Sequence, residues 1–258
     1  MLHKPTLLHG NVYERKGMEA KVGAVLVVGG GIAGIQASLD LAESGHYVYL
    51  IESSPAIGGR MAQLDKTFPT NDCAMCIVSP KLVEAGRHTN IKVLAYSEVA
   101  GVEGEPGNFK VTIRKKPRYV DLAKCTGCGE CIRACVFKKG VPSEFEGGLA
   151  RRKPIYILFP QAIPLKAVVD RESCLFLSKG KCAKSCMEAC LAGAIDFNQQ
   201  EEMITETVGS LILCPGFDEF DARRLAAYGY GRLANVITSI DALVKSRHTG
   251  ENRCPVFL

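Results

Sequence analysis

The sequence predicts an α/β chain, a Rossmann-like dinucleotide-binding domain interrupted by a smaller α+β module. Two observations carry this reading. At residues 24–52 an apolar strand runs into a glycine-rich turn and then a helix. Between Cys125 and Cys190, eight of the twelve cysteines fall in two sets.

Taken in order, Ala24 to Val28 form a continuous apolar, β-branched run, which predicts a buried strand. It leads into Gly29-Gly30-Gly31-Ile32-Ala33-Gly34, a GxGxxG at Gly29, Gly31 and Gly34. A helix is predicted over Ile35 to Ser44, and a second strand over Tyr47 to Ile51, ending at Glu52. Gly29 permits the tight turn, Gly31 lets a pyrophosphate approach the backbone, and Gly34 permits close helix–strand packing. The helix N-terminus offers N–H groups to phosphate, and Ile32 and Ala33, between the glycines, are assigned to the same cofactor site. Glu52 stands where an acid meets ribose hydroxyls.

The choice between FAD and NAD rests on residues further along the chain. Gly58-Gly59-Arg60 resembles the second glycine signature of two-dinucleotide-binding flavoproteins. Ser210 to Phe217 resembles the strand that closes their FAD site, with Gly216 kept and Cys214 and Pro215 departing from the usual Ala-Thr-Gly. FAD is therefore expected. Ile91 to Leu94 reads as a third parallel strand, and 97–105 with 108–116 as a hairpin turned by Pro106-Gly107-Asn108. Val99, on that hairpin, is assigned to the same cofactor site.

The first cysteine set is Cys125-x2-Cys128-x2-Cys131-x3-Cys135; the second is Cys174, then Cys182-x3-Cys186-x3-Cys190. A cubane needs four converging thiolates, and in two-cluster ferredoxins the fourth cysteine of a motif ligates the other cluster. The expected ligand sets are Cys125, Cys128, Cys131 and Cys190 for one [4Fe–4S] cluster, and Cys135, Cys174, Cys182 and Cys186 for the other. Structural zinc usually takes two separated Cys-x2–4-Cys pairs instead. The second set departs from the usual triplet, with Leu191 where proline normally comes next. Ala194 to Phe197 reads as the strand closing a ferredoxin half. The hairpin leads to Cys125 and the closing strand appears only near residue 210, so a ferredoxin-like domain at 121–200 is expected as an insert. The flavin domain then comprises 22–120 and 201–258, after an N-terminal extension at 1–21 in which Met18 is a candidate start.

The formal net charge is +5. Two clusters with four thiolates each would carry about −2 apiece, leaving roughly +1. Basic runs at Arg114-Lys115-Lys116 and Arg151-Arg152-Lys153 lack interleaved aromatics, so a solvated or docking face is expected rather than a nucleic-acid site. No stretch reaches the roughly 18 apolar residues of a membrane span. The N-terminus lacks the apolar run and cleavage site of a signal peptide, and cluster thiols suit a reducing cytoplasm.

The combined arrangement resembles the A subunit of heterodisulfide reductase and its bacterial relatives. The resemblance is carried by VGGGIAGIQASLDLAESGHYVYLIE, GGRMAQLDKTFPTNDCAMCIVSPKL, KCTGCGECIRAC, the stretch from RRKPIYILFPQAIP to the second cysteine set, and GYGRLANVITSIDAL. It covers about residues 22–245. It implies FAD and [4Fe–4S] clusters, a cytoplasmic location, and work in complexes with other subunits, heterodisulfide-reductase-like or hydrogenase- or dehydrogenase-like. It also implies a flavin that splits electron pairs between a high- and a low-potential acceptor. Family members run on through a thioredoxin-reductase-like domain, so an incomplete flavin fold is expected here, truncated, split between polypeptides or degenerate.

Cys73-Ala74-Met75-Cys76 admits three readings: a candidate catalytic redox dithiol, ligands of an additional metal centre, or thiols lining the flavin pocket. Cys214 and Cys254 read as core or incidental thiols, and the histidines show no ligand spacing. Lys81 fits a phosphate contact or a surface role equally. Three functions compete. One is a flavin and iron–sulfur electron-transfer component of a larger complex, present singly or as a homo-oligomer. Another is a non-catalytic iron–sulfur relay or docking scaffold with a vestigial flavin fold. The third is a self-contained NAD(P)H-dependent disulfide reductase, for which a second complete glycine motif is missing.

Overall fold

The computed structural model describes residues 23–67 and 69–242. The extension at 1–21, Met18 and Cys254 lie outside them. In chain order the elements are β1 (Ala24–Val28), α1 (Ile32–Glu43), β2 (Tyr47–Glu52), α2 (Gly59–Gln63), α3 (Ala74–Arg87), β3 (Ile91–Ala95), β4 (Ser97–Glu105) and β5 (Asn108–Lys115). They continue with α4 (Glu130–Ala134), β6 (Val141–Pro142), β7 (Arg151–Arg152), β8 (Ile155–Tyr156), β9 (Val168–Val169), α5 (Leu175–Lys179), α6 (Ser185–Glu188), β10 (Glu202–Val208) and β11 (Ser210–Leu213). The chain divides into two compact units, and α3 crosses the division.

The first unit takes described residues 23–57, 83–117 and 200–215. Its parallel sheet has the order β11-β1-β2-β3, and an antiparallel sheet has the order β10-β5-β4. β1 reads as an unbroken apolar run because it is flanked on both sides, by β2 (Val27 opposite Leu50) and by β11 (Val27 opposite Ile212). One core joins the two sheets: Leu26, Ile51 and Leu94 from the parallel sheet meet Val111, Ile113 and Val208 from the antiparallel one. Helix α1 buries Ile35, Leu39 and Ala42, an i, i+4, i+7 stripe, and packs on β1, β2 and β3.

The helix begins at Ile32, three residues before the sequence expectation. Glycine has low helix propensity, which argues for a later start. Here Gly31 is already the N-cap and Gly34 sits inside the first turn. The hairpin falls where expected, with Glu105 paired to Asn108 across Pro106-Gly107. Gly107 has φ +101°, the conformation that a proline–glycine turn requires of its second central residue.

The second unit takes described residues 58–67, 69–82, 118–199 and 216–242. It therefore gains 58–82 and the residues from Gly216, segments that the sequence assigns to the flavin domain. Its pairings are short. β8 pairs antiparallel with β9, Ile155 opposite Val169, and a single bridge joins Val120 to Ile195. The predicted closing strand at 194–197 thus reduces to one bridge, held by Asp121 N–H to the Ala194 carbonyl (2.7 Å) and Asp196 N–H to the Tyr119 carbonyl (3.0 Å). It goes no further because the Asp196 carboxylate accepts the Asn198 N–H at 2.9 Å and turns the chain. The core of this unit is Tyr119, Val120, Ile155, Val169 and Ile195 together with Cys131 and Cys186.

Leu26 is fully buried at the centre of the first unit. We predict that Leu26→Ala costs about 2–5 kcal/mol of unfolding free energy. Val102→Ala, at a position 46% exposed, should stay within about 0.5 kcal/mol. Denaturant titration of the two variants checks the contrast.

Candidate functional site

The first site is the turn between β1 and α1. Gly29 donates its N–H to the Ile51 carbonyl (2.8 Å) and has φ +107°. A Cβ there would lie 2.0 Å from the Cys214 carbonyl oxygen, and a Cβ on Gly34 would lie 1.9 Å from the Gly29 carbonyl oxygen. Both positions are thus closed to any larger residue. Gly31 differs: its φ is an ordinary −77°, and a Cβ would meet nothing within 4 Å. It borders open space in front of the helix.

Helix α1 has no side-chain cap and no acidic residue in its first turn. Its leading N–H groups, including those of Ile32 and Ala33, are available to an anion, and the helix dipole favours one. Glu52, at the end of β2, is 7% exposed. One carboxylate oxygen accepts the Gly30 N–H at 2.8 Å. The other accepts the Ser54 N–H at 2.7 Å and the Ser53 hydroxyl at 3.2 Å. A carboxylate has about four lone-pair sites, so these bonds leave capacity for a ribose hydroxyl. Gly29, Gly31, Ile32, Ala33, Gly34 and Glu52 are thus gathered at one end of the parallel sheet, in a form that fits a dinucleotide.

Other predicted residues lie elsewhere. Val99 is opposite Ile113 and packs against the core between the two sheets. Gly58, Gly59, Arg60 and Gly216 fall in the second unit. Gly58 has φ +140°, and a Cβ there would press on the Ala62 Cβ at 2.9 Å. Arg60 donates to the Gln63 amide oxygen at 3.2 Å. Lys81 is half-buried on α3. Gly216 has φ +77°, consistent with the retained glycine of the closing motif.

The second site is the cysteine-rich core of the second unit. Burial pushes the Cys131 thiol up to about 12, reinforced by Cys125, Cys190 and Cys186. Burial likewise pushes the Cys186 thiol up to about 11, reinforced by Cys135, Cys174 and Cys182. A cavity is lined by Cys135, Cys174, Cys182 and Cys186. Cys135 of the first motif thus lines a cavity with three cysteines of the second set, and Cys131 is influenced by both Cys190 and Cys186 of that set. Cys128 is exposed; the Glu130 N–H and the Thr126 hydroxyl hold its thiol below the ordinary range. Among the described residues, no three His, Cys, Asp or Glu side chains close round a single metal ion. Six of the eight thiols share one packed core, and bringing four thiolates together requires a cationic centre to offset their charge.

Sequence reasoning missed what aims these cysteines. The Asp121 carboxylate accepts the Ala123 N–H at 2.8 Å, and its carbonyl accepts the Cys125 N–H at 2.9 Å. Asp170 repeats the device: its carboxylate accepts the Glu172 N–H at 3.1 Å and the Ser173 hydroxyl at 2.7 Å. The Asp170 carbonyl then accepts the Cys174 N–H at 3.0 Å. The signal is a Val-Asp-x3-Cys present at both 120–125 and 169–174.

Cys73 and Cys76 are joined in a disulfide at the start of α3, both exposed, with the Cys76 N–H directed at the Cys73 sulfur (3.2 Å). Cys214 comes directly after β11; its N–H is bonded to the Val28 carbonyl at 2.7 Å, a structural placement.

The parallel sheet, glycine turn and uncapped helix define a dinucleotide-binding flavoprotein fold, and residues 24–79 match the FAD dependent oxidoreductase family. Over 216 residues the chain is 49% identical to the A subunit of H(2):CoB-CoM heterodisulfide,ferredoxin reductase from Methanothermobacter marburgensis. Over 216 residues it is 51% identical to the iron-sulfur A subunit of CoB--CoM heterodisulfide reductase from Methanocaldococcus jannaschii. Each alignment takes in 84% of this chain and 32% of the relative, so the chain spans about a third of the length of the curated relatives it matches. Over that shared region the chain belongs to the heterodisulfide reductase A-subunit family. Among solved structures, L-proline dehydrogenase from P. horikoshii overlaps 36% of this chain and 19% of its own, at 28% identity and a TM-score of 0.32. Among the described residues no helix is long and apolar enough to cross a membrane.

The contrast between two glycines is testable. Gly31→Ala should lower FAD affinity about tenfold or more, a loss of about 1.4 kcal/mol, while leaving Tm within about 2 °C. Gly29→Ala should instead lower Tm by several degrees, because its Cβ meets backbone. Flavin titration and thermal melts of both variants give the comparison.

Proposed function

We propose that this chain is the flavin- and iron–sulfur-bearing electron-transfer part of a heterodisulfide-reductase-like oxidoreductase. Residues 121–200 form its ferredoxin-like module, inserted into a flavin domain of 22–120 and 201–258. Cys125, Cys128, Cys131 and Cys190 hold one [4Fe–4S] cluster, and Cys135, Cys174, Cys182 and Cys186 hold the other. When bound, FAD supplies two-electron chemistry and the clusters supply single-electron chemistry.

The protein's own residues bind, orient and shield. The N–H groups at the start of α1 take the pyrophosphate, with Gly31 leaving the approach clear. Glu52 takes ribose hydroxyls while holding the glycine turn through Gly30. Asp121 and Asp170 fix the loops from which the cluster thiols project. Tyr119, Ile155 and Val169 keep water from the buried thiols.

The observation that supports this reading most is that Cys135 of the first motif lines one cavity with Cys174, Cys182 and Cys186, the arrangement expected if the fourth cysteine of that motif serves the other cluster. Partner subunits, a cytoplasmic location and electron bifurcation belong to the same proposal. Bifurcation is supported by a relative whose name carries two acceptors, heterodisulfide and ferredoxin. The Cys73–Cys76 disulfide is given no step in it.

Paired cysteine variants test the proposal. If ligation crosses between motifs, the double variant Cys131→Ala with Cys190→Ala loses only one cluster. It should keep about four irons per chain. The double variant Cys131→Ala with Cys135→Ala strikes both clusters and should keep almost none. Iron and labile-sulfide assays on anaerobic protein read the result; the opposite pattern would show ligation within each motif and contradict the assignment.

A further inference from the structure

Two lysines in the segment between the cysteine motifs reach back to the backbone of cluster cysteines. The Lys166 ammonium donates to the Cys125 carbonyl oxygen. The Lys153 ammonium donates to the Cys135 carbonyl oxygen at 2.9 Å and to that of Arg133 at 3.1 Å. Their roots are fixed by one short ladder: Lys153 lies two residues before β8, Lys166 two before β9, and these strands pair Ile155 with Val169. Both lysines are half-buried, so salt screens their charge less than that of a fully exposed side chain.

Backbone carbonyls elsewhere in the unit accept from neutral donors, as Ala134 does from the Ser185 hydroxyl (3.1 Å), or from arginine, as Lys139 and Gly140 do from Arg151, but those of Cys125 and Cys135 belong to proposed cluster ligands. A cation in each place adds something a neutral donor would not: a positive charge held on the backbone of a cysteine that the proposal assigns to a cluster. Cys125 and Cys135 belong to different clusters on the ligation proposed above. Cluster potential responds to local charge and hydrogen bonding. A nearby cation stabilises the reduced, more negative state.

We infer that Lys166 and Lys153 each tune one cluster, raising the reduction potential of the centres held by Cys125 and by Cys135 respectively. This rests on the two-cluster ligation proposed for the chain. Lys153→Gln and Lys166→Gln each keep a donor and remove the charge, whereas Lys→Arg keeps the charge.

The test is a dye-mediated potentiometric titration, monitored by EPR, of the anaerobically purified full chain, with iron counted in every sample. Each Gln variant should lower one midpoint and leave the other in place, and the midpoint lowered should differ between the two variants. The Arg variants should stay close to the unaltered chain. Full iron with no midpoint moved, or the same midpoint moved by both Gln variants, would overturn the lysine assignment while leaving the clusters standing. Loss of a cluster in both the Gln and the Arg variant would overturn it too, because shape rather than charge would be what the site requires. An unaltered chain without cubane iron would instead sink the cluster reading, and this inference with it.

Discussion

Thiols that must converge are the constraint from which the second unit is built. Cys131 and Cys186 are buried, and burial among other thiols disfavours the charged form that a metal ligand must adopt. The unit has little regular structure to force them together. Its ladders are two residues long, and the helices at Cys131, Cys174 and Cys186 have four or five residues. The core around the thiols sets Cys131 and Cys186 among Tyr119, Val120, Ile155, Val169 and Ile195. If these thiols hold the proposed clusters, cluster binding contributes folding free energy to the unit. Asp121 and Asp170 reduce the conformational cost by fixing each loop just before its first cysteine.

The first unit rests on a different logic. Its two sheets share an apolar core, and that core needs no ligand. The glycine turn is positioned by backbone contacts so close that Gly29 and Gly34 admit no side chain. The turn presents binding capacity to solvent: uncapped N–H groups, an open approach at Gly31 and a carboxylate already oriented by Gly30 and Ser54. One unit thus has an apolar core separate from its binding turn; the other has its cysteines within its core.

How much of this is legible in the sequence depends on the range of each interaction. β1, α1 and β2 rest on local periodicity and a glycine spacing, and all three can be read. So can β3, the hairpin and β11, each a continuous apolar or alternating run. The cysteine spacing points to the chemistry, and the rule that a motif's fourth cysteine serves the other cluster already gives an expected grouping, Cys190 with Cys131 and Cys135 with Cys186. The bridge at Ile195 reads as a full strand because the short run from Ala194 to Phe197 looks the same whether one residue pairs or four. The joining of Cys73 to Cys76 is one of several readings that spacing leaves open. The turns at Asp121 and Asp170 have a local signal in the repeated Val-Asp-x3-Cys, which is visible only once both cysteine sets are aligned on their first members. Lys153 and Lys166 carry no local signal, since their acceptors are backbone carbonyls far away in sequence.

The most direct test of the central claim is the content of the chain itself. Anaerobic purification followed by assay of iron, acid-labile sulfide, zinc and flavin should give about eight irons, about eight sulfides and one FAD per polypeptide. Little iron with stoichiometric zinc would contradict the account, because the cysteine groups would then be structural sites and the chain would have no clusters to carry electrons.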